Sequence, residues 1–263
     1  MSFTLFLHEI KRNKISLLVW SFALAFTLGI CVIIYPQMQT QMNDISQMFS
    51  DMGAFSEAFG MDQLNFGEFI GYFGVECGNT LGIGGALLAG IVGVNALCKE
   101  ERDRTSEFLL TFPVSRTRIV TEKLLFSIFH ITVVNLSVAF VCVLATFAVN
   151  IEVEIGTMLL ILFAYYLMQL EIMAITFGIS AFLSKGGLGI GIVLAFGMYF
   201  MSIVANLMDE LEFVKYMTPF GFADSGHIIS EGNLEPISLA IGAVLCALGI
   251  FLAYYQYNRK DIK

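Results

Sequence analysis

Long apolar runs separated by short polar segments dominate the pattern of this chain. A bilayer core about 30 Å thick takes roughly 20 apolar helical residues per crossing. Each run therefore predicts a transmembrane helix, and we number these spans one to six. The predicted spans cover residues 16–35, 73–98, 124–149, 156–183, 187–208 and 237–257. The pattern predicts an all-α integral membrane protein with a single transmembrane domain over residues 1–263.

The composition supports lipid as the solvent of these runs. Of 263 residues, 57% are hydrophobic and 14% are charged, whereas soluble domains have about 45–50% and about 25%. The net charge of −8 and the lack of a basic, aromatic-bearing stripe exclude a nucleic-acid partner. The cysteines form no C-x-x-C pair, so we expect no metal centre.

The basic residues predict the orientation of the spans. All but one of the 14 lysines and arginines lie in segments on the side of the N-terminus, and the exception is Lys215. Basic segments stay in the cytoplasm, so we expect both termini there. We expect a multi-pass protein of the cell membrane, specifically the cytoplasmic membrane of a bacterium.

Two segments outside the apolar runs have amphipathic patterns. The first residues predict an interfacial helix on the cytoplasmic leaflet before span one, with an unstructured tail as the alternative. In the outer segment 36–72, a heptad-like stripe predicts a helix made of Met38, Met42, Ile45, Phe49 and Met52. We assign these methionines to packing, and Cu(I) binding or contact with a substrate or partner stays open.

Span two has a small residue at every fourth position. Such residues let helix backbones approach closely in lipid. We predict a packing face, within the subunit or across a dimer, made of Gly74, Gly78, Gly82, Ala86 and Gly90. Span five repeats the pattern more weakly with Gly187, Gly191 and Ala195.

The stretch 99–123 between spans two and three is the most unusual one. Its first part is densely charged, its middle is the apolar Phe108-Leu109-Leu110, and basic residues follow Pro113. A charged helix with an apolar tip predicts a docking element at the cytoplasmic surface. A solvated loop is the alternative, but it would not need three consecutive exposed apolar side chains.

The residues of this stretch resemble a known family. Glu100-x4-Thr105-x-Glu107-x-Leu109-Leu110-x2-Pro113-Val114-Ser115-Arg116 resembles the signature of ABC-2-type transporter permeases, with Arg104 where the family commonly has glycine. Tyr216-Met217-Thr218-Pro219-Phe220 resembles the Pro-Phe element of that family, and residues 257–261 resemble its basic C-terminal ending.

The resemblance implies a half-transporter. Its coupling helix would dock on a cytoplasmic ABC ATPase through Glu100, Glu101, Arg104, Thr105, Glu107, Phe108, Leu109, Leu110, Pro113 and Arg116. ATP and Mg would bind to that partner, because this chain has no phosphate-loop motif and no cofactor of its own. A second permease copy, identical or different, would complete the pair, with spans two and five lining the pathway. The apolar walls favour export of a hydrophobic or amphipathic peptide, drug or lipid-like molecule.

Two polar residues lie deep within predicted spans. Asn135 in span three and Glu171 in span four lie at similar depth, so we predict that they can pair. Intramembrane polar residues often mark a pathway, and a role in helix packing is the alternative.

Two other classes of function remain open. The chain could be a non-transporting membrane scaffold or sensor. The residues Glu100-Glu101, Arg104 and His130 are also similar to the motifs of glutamate-type intramembrane proteases, although the spacing to Arg104 is one residue short.

Overall fold

The computed structural model describes residues 4–50, 64–65, 67–102, 114–184, 187–208 and 212–260, without the side chains of residues 40–50, 102 and 212. These residues form helices and no β-strand. Six helices are long and apolar enough to cross a membrane, which confirms the six predicted spans. They run over Thr4–Gln39, Phe69–Glu101, Arg116–Val149, Ile155–Ser180, Leu188–Leu207 and Pro236–Arg259.

The N-terminal residues belong to span one rather than to a separate interfacial helix. One α-helix runs from Thr4 to Ser50, with Pro36 inside it. The prediction of a separate helix is therefore wrong, because no residue that breaks helices occurs before Pro36 and because Glu9 is buried against span three. Met38, which begins the methionine stripe, packs against the core, and Met52 lies outside the described residues.

Span two changes its helical geometry part-way along its length. It begins as an α-helix over Phe69–Cys77, continues as a π-helix over Gly78–Gly85, and returns to an α-helix over Ala86–Arg102. A π-helix places an extra residue in the turn, and such segments often occur at functional sites. The glycines of this stretch let span four come close, since a Cβ atom on Gly85 would overlap the side chain of Gln169.

Spans two and four form the centre of the helical bundle, since most of their residues are buried, whereas the other four expose most of their length. Span one packs along span three, span five packs on span two, and span six packs on span four. The outward faces carry large apolar side chains such as Phe22, Phe140, Val193 and Phe251. Lipid solvates such faces.

Capping interactions define several helix ends. Ser115 accepts a hydrogen bond from the backbone N–H of Arg118 at the start of span three, and Asn150 ends that span in the left-handed conformation, both being common caps. The Glu122 carboxylate accepts hydrogen bonds from the backbone N–H groups of Leu5 and Phe6, at 2.9 and 3.0 Å. A side chain of span three therefore provides the hydrogen-bond acceptor for backbone N–H groups in the first turn of span one, which have no acceptor within their own helix.

The segment between spans five and six contains two short helices, Glu212–Lys215 and Ser225–Glu231. Asp224 caps the second helix by accepting a hydrogen bond from the N–H of Gly226 at 2.9 Å, and Lys215 lies 3.4 Å from the same carboxylate. The hydroxyl of Ser225 donates to the carbonyl of Gly74 in span two at 3.1 Å and lies 3.3 Å from the hydroxyl of Tyr165 in span four, so this segment is held against both spans.

Candidate functional site

A buried charge cluster joins spans one, two and three at the end where the docking stretch begins. Lys123 is 4% exposed, and its ammonium group lies 3.3 Å from Glu9 and 2.5 Å from Glu100. It also donates to the carbonyl of Ala96 at 2.8 Å. Beside the cluster, Lys99 donates to the side chain of Asn13 at 3.1 Å. Three helices are therefore connected through one lysine.

A second cluster lies at the C-terminal end of span six. The Lys260 ammonium lies 2.8 Å from a carboxylate oxygen of Glu101 and donates to the carbonyl of Leu183 at 2.6 Å. Arg116 donates to the carbonyls of Tyr257 and Lys260, at 3.3 and 2.6 Å. The last described residues of the chain thus contact the ends of spans two and four and the start of span three.

Some of the predicted docking residues lie in these clusters, and the others lie outside the described residues. Glu100, Glu101 and Arg116 border the stretch 103–113, and the structure places all three in the clusters. The other predicted residues lie outside the described residues, namely Arg104, Thr105, Glu107, Phe108, Leu109, Leu110 and Pro113.

The small residues of span two contact several elements. A Cβ atom on Gly74 would lie 2.8 Å from Ser225, and Gly78 and Gly82 lie against Tyr165 of span four. Ala86 is buried. A Cβ atom on Gly90 would lie 2.5 Å from the carbonyl oxygen of Gly191 in span five. The packing face of span two therefore contacts spans four and five and the short helix Ser225–Glu231.

A polar cavity of about 100 Å³ lies where the π-helix of span two faces span five and the Pro-Phe element. Its walls combine amide, hydroxyl and charged side chains with aromatic rings, among them Asn79, Tyr165, Tyr199, Ser202, Asn206, Phe220 and Asp224. Sites for drug-sized ligands have about 300–1,000 Å³. In this conformation the cavity is therefore too small for such a ligand.

The two polar residues predicted within the membrane do not pair with each other. The side chain of Asn135 donates to that of Gln169 at 2.8 Å. Glu171 is two residues further along span four, which is about 200° around a helix. Its carboxylate lies against Gly242 of span six and beside Phe222, and one of its oxygens has no hydrogen-bond partner. The predicted pairing is therefore wrong.

Neither Asn135 nor Glu171 lines the polar cavity between spans two and five. Gln169, which does meet span two, was not singled out from the sequence. The sequence did contain a pattern that could have identified it, because one face of span four carries, at helical spacing, Tyr165, Gln169 and Met173. Residues 257–261 were noted as a basic C-terminal ending, but nothing in the sequence distinguishes Lys260 from the adjacent Arg259.

The geometry does not assemble a catalytic or metal centre from the described residues. Glu100 and Glu101 are paired with lysines, and neither ring nitrogen of the buried His130 has a hydrogen-bond partner. No group of three or more His, Cys, Asp or Glu side chains that could hold a metal ion occurs in the part of the chain that the structure describes.

Comparison with known families identifies the chain. The family described as ABC-2 family transporter protein matches residues 3–262. The chain belongs to this family. No curated protein gave a significant match. As an ABC-2 family protein with six helices able to cross the membrane, it is a multi-pass permease of the cell membrane and the membrane component of a transporter.

Proposed function

We propose that this ABC-2 permease is one half of the membrane pathway of an ATP-driven exporter, and that a separate cytoplasmic ABC ATPase docks on residues 103–113, which we call the docking stretch. Two permease copies, identical or different, would form the pathway. The N- and C-termini would lie in the cytoplasm, where the basic residues concentrate. ATP and Mg would bind to the ATPase.

One observation carries the docking part of this proposal. The described borders of the stretch 103–113 are held in two charge clusters. Glu100 is buried beside Lys123, and the side chain of Glu101 is 7% exposed beside that of Lys260. Burying charged groups is costly unless they are closely paired. A loop that only connects two spans does not need charge pairs of this kind at its ends. Rigid attachment at both ends lets force on the docking stretch reach the spans.

The polar cavity supports a pathway between spans two and five. There the two spans face each other across polar side chains such as Asn79, Ser202 and Asn206. The Gly78–Gly85 π-helix forms one wall and gives span two an irregular segment that can change its geometry. We propose that ATP-driven movement widens this cavity so that a hydrophobic or amphipathic substrate, such as a peptide, drug or lipid-like molecule, can pass.

Affinity purification from the native host in a mild detergent tests the docking proposal. We expect a stoichiometric soluble partner whose sequence carries a phosphate loop. Leu110→Asp should remove this partner. Phe213→Asp, at an exposed apolar side chain of the short helix Glu212–Lys215, is the control for a nonspecific effect of the same kind of substitution outside the spans. A well-folded Leu110→Asp protein that still binds the ATPase would contradict the docking assignment.

A scaffold or sensor without transport is the second candidate. It shares the docking stretch, so the purification does not separate it from the exporter. ATP-dependent movement at the polar cavity does separate the two. The exporter requires that labelling of Ser202→Cys, on the wall of the cavity, changes when ATP and vanadate trap the ATPase, whereas a static scaffold predicts no change.

A further inference from the structure

We propose that the C-terminal residues 257–260 form a latch that carries movement of the docking stretch to spans four and six, with Lys260 as the main positioning residue. This inference rests on the proposed function, because it assumes that an ATPase moves residues 103–113. It adds a path by which that movement reaches helices that do not adjoin the docking stretch in sequence.

The two borders of the docking stretch both contact Lys260, and the second border also contacts Tyr257 and Asn258. On the span two side, Glu101 forms its ion pair with Lys260 at 2.8 Å. On the span three side, the guanidinium of Arg116 donates to three carbonyls at the end of span six, those of Tyr257, Asn258 and Lys260. A displacement of either border therefore acts directly on residues 257–260.

Two further contacts connect span three with span six. The hydroxyl of Thr121 lies 2.8 Å from that of Tyr254, and the hydroxyl of Thr117 lies 3.5 Å from the side-chain oxygen of Asn258. With Arg116, these residues form a row along the first turns of span three. The row resists sliding of the two helices past each other, because several polar contacts would break together.

The latch extends to span four through Lys260. Its ammonium donates to the carbonyl of Leu183, just after the end of span four, at 2.6 Å. Further along, spans four and six touch through their backbones, since a Cβ atom on Gly178 would lie 2.6 Å from the carbonyl oxygen of Gly249. Such close backbone packing holds two helices together in lipid. Lys260 thus joins span two to a unit made of spans four and six.

Burial distinguishes Lys260 from its neighbour Arg259. The side chain of Lys260 is 10% exposed and that of Glu101 is 7% exposed, so water screens their attraction weakly. Arg259 is exposed and contacts Tyr255 of its own helix, where the guanidinium lies 4.1 Å from the ring centre. Two adjacent basic residues therefore differ in whether they connect helices, which makes Arg259 a matched control.

The test measures coupling without knowledge of the substrate. The permease is purified with its ATPase, carries Ser202→Cys as the only cysteine after replacement of its five free cysteines, and is reconstituted into vesicles. The readouts are the rate of ATP hydrolysis and the change in reaction of this cysteine with a membrane-impermeant maleimide when ATP and vanadate are added. The second readout reports movement at the cavity.

We expect Lys260→Gln to keep ATPase binding and hydrolysis while weakening the ATP-dependent change in labelling by roughly two- to thirty-fold, the range of mutations that act on coupling. Arg259→Gln should behave as the unmodified protein, and Lys260→Arg should retain most of the change because it keeps the charge. In a Glu101→Gln background, Lys260→Gln should have a much smaller additional effect, because the pair has already been broken.

Two results would overturn the latch. One is an unchanged labelling response in Lys260→Gln. The other is an equal loss of ATP hydrolysis and labelling, which would indicate a defect in docking or folding. Absence of an ATPase from the unmodified preparation, or absence of any ATP-dependent change in it, would instead contradict the proposed function.

Discussion

Lys123 offers the sharpest test of the buried charge cluster. Its ammonium group is 4% exposed and serves two carboxylates, those of Glu9 and Glu100, together with one backbone carbonyl. Lys123→Met keeps the apolar length of the side chain but leaves both carboxylates buried without their cation. Removal of one partner from a buried ion pair costs about 3–5 kcal/mol.

The matched control is Lys99→Met in the same region. Lys99 is half-buried, and its side chain donates to the neutral Asn13, so its loss should cost about 1 kcal/mol. At roughly 2–4 °C per kcal/mol, the melting temperature should fall by about 6–20 °C for Lys123→Met and about 2–4 °C for Lys99→Met. Heating the purified protein in detergent and measuring the soluble, monodisperse fraction gives both values.

A combined variant tests the physical reason for the loss. Glu9→Gln and Glu100→Gln added to Lys123→Met remove the uncompensated charges, so most of the lost stability should return. Equal melting temperatures for Lys123→Met and Lys99→Met would refute the reasoning, as would a combined variant that is less stable than Lys123→Met alone.

Three further predictions concern the membrane interior. Gly90→Ala should lower stability by about 1–3 kcal/mol, because the added methyl group meets a backbone carbonyl of span five. Gly197→Ala should change stability little, because a Cβ atom there has nothing within 4 Å. Thermal unfolding measures both variants, and equal shifts in melting temperature would contradict the packing. Gln169→Leu should lower stability by about 0.5–2 kcal/mol, because it leaves Asn135 without its hydrogen-bond partner. Adding Asn135→Leu to the same chain should recover part of this stability. Additive losses from the two substitutions would exclude the hydrogen-bonded pair. Glu171→Gln should leave the ATP-dependent labelling at the cavity unchanged, because Glu171 does not line the cavity, and a large change would restore it as a pathway residue.

The six spans and the close-packing face of span two could be predicted because both depend on local sequence. The thickness of the bilayer sets the length of each apolar run. A small residue at every fourth position lies on one side of a helix whatever surrounds it, so Gly90 was found without knowledge of its partner in span five. The docking function of residues 103–113 stays a prediction, supported by the way their borders are held.

The pairing of polar groups could not be predicted in the same way. Depth in the membrane follows from counting residues, and by that count Glu171 suited Asn135. The structure instead pairs Asn135 with Gln169, because each helix is rotated about its axis by the packing of all its neighbours. The separate interfacial helix was wrongly predicted for a similar reason. The local pattern does not show that Glu9 is buried beside Lys123, because Lys123 is more than 100 positions away in the chain.

The sequence by itself thus determined how many helices are able to cross the membrane and which of their faces can approach closely, since these properties depend on residues near each other in the chain. Only the tertiary structure decided that Lys123 connects three helices and that Lys260 meets both borders of the docking stretch. A buried charge is stable only where distant segments bring its partners to it, and such an arrangement exists only after the helices have packed.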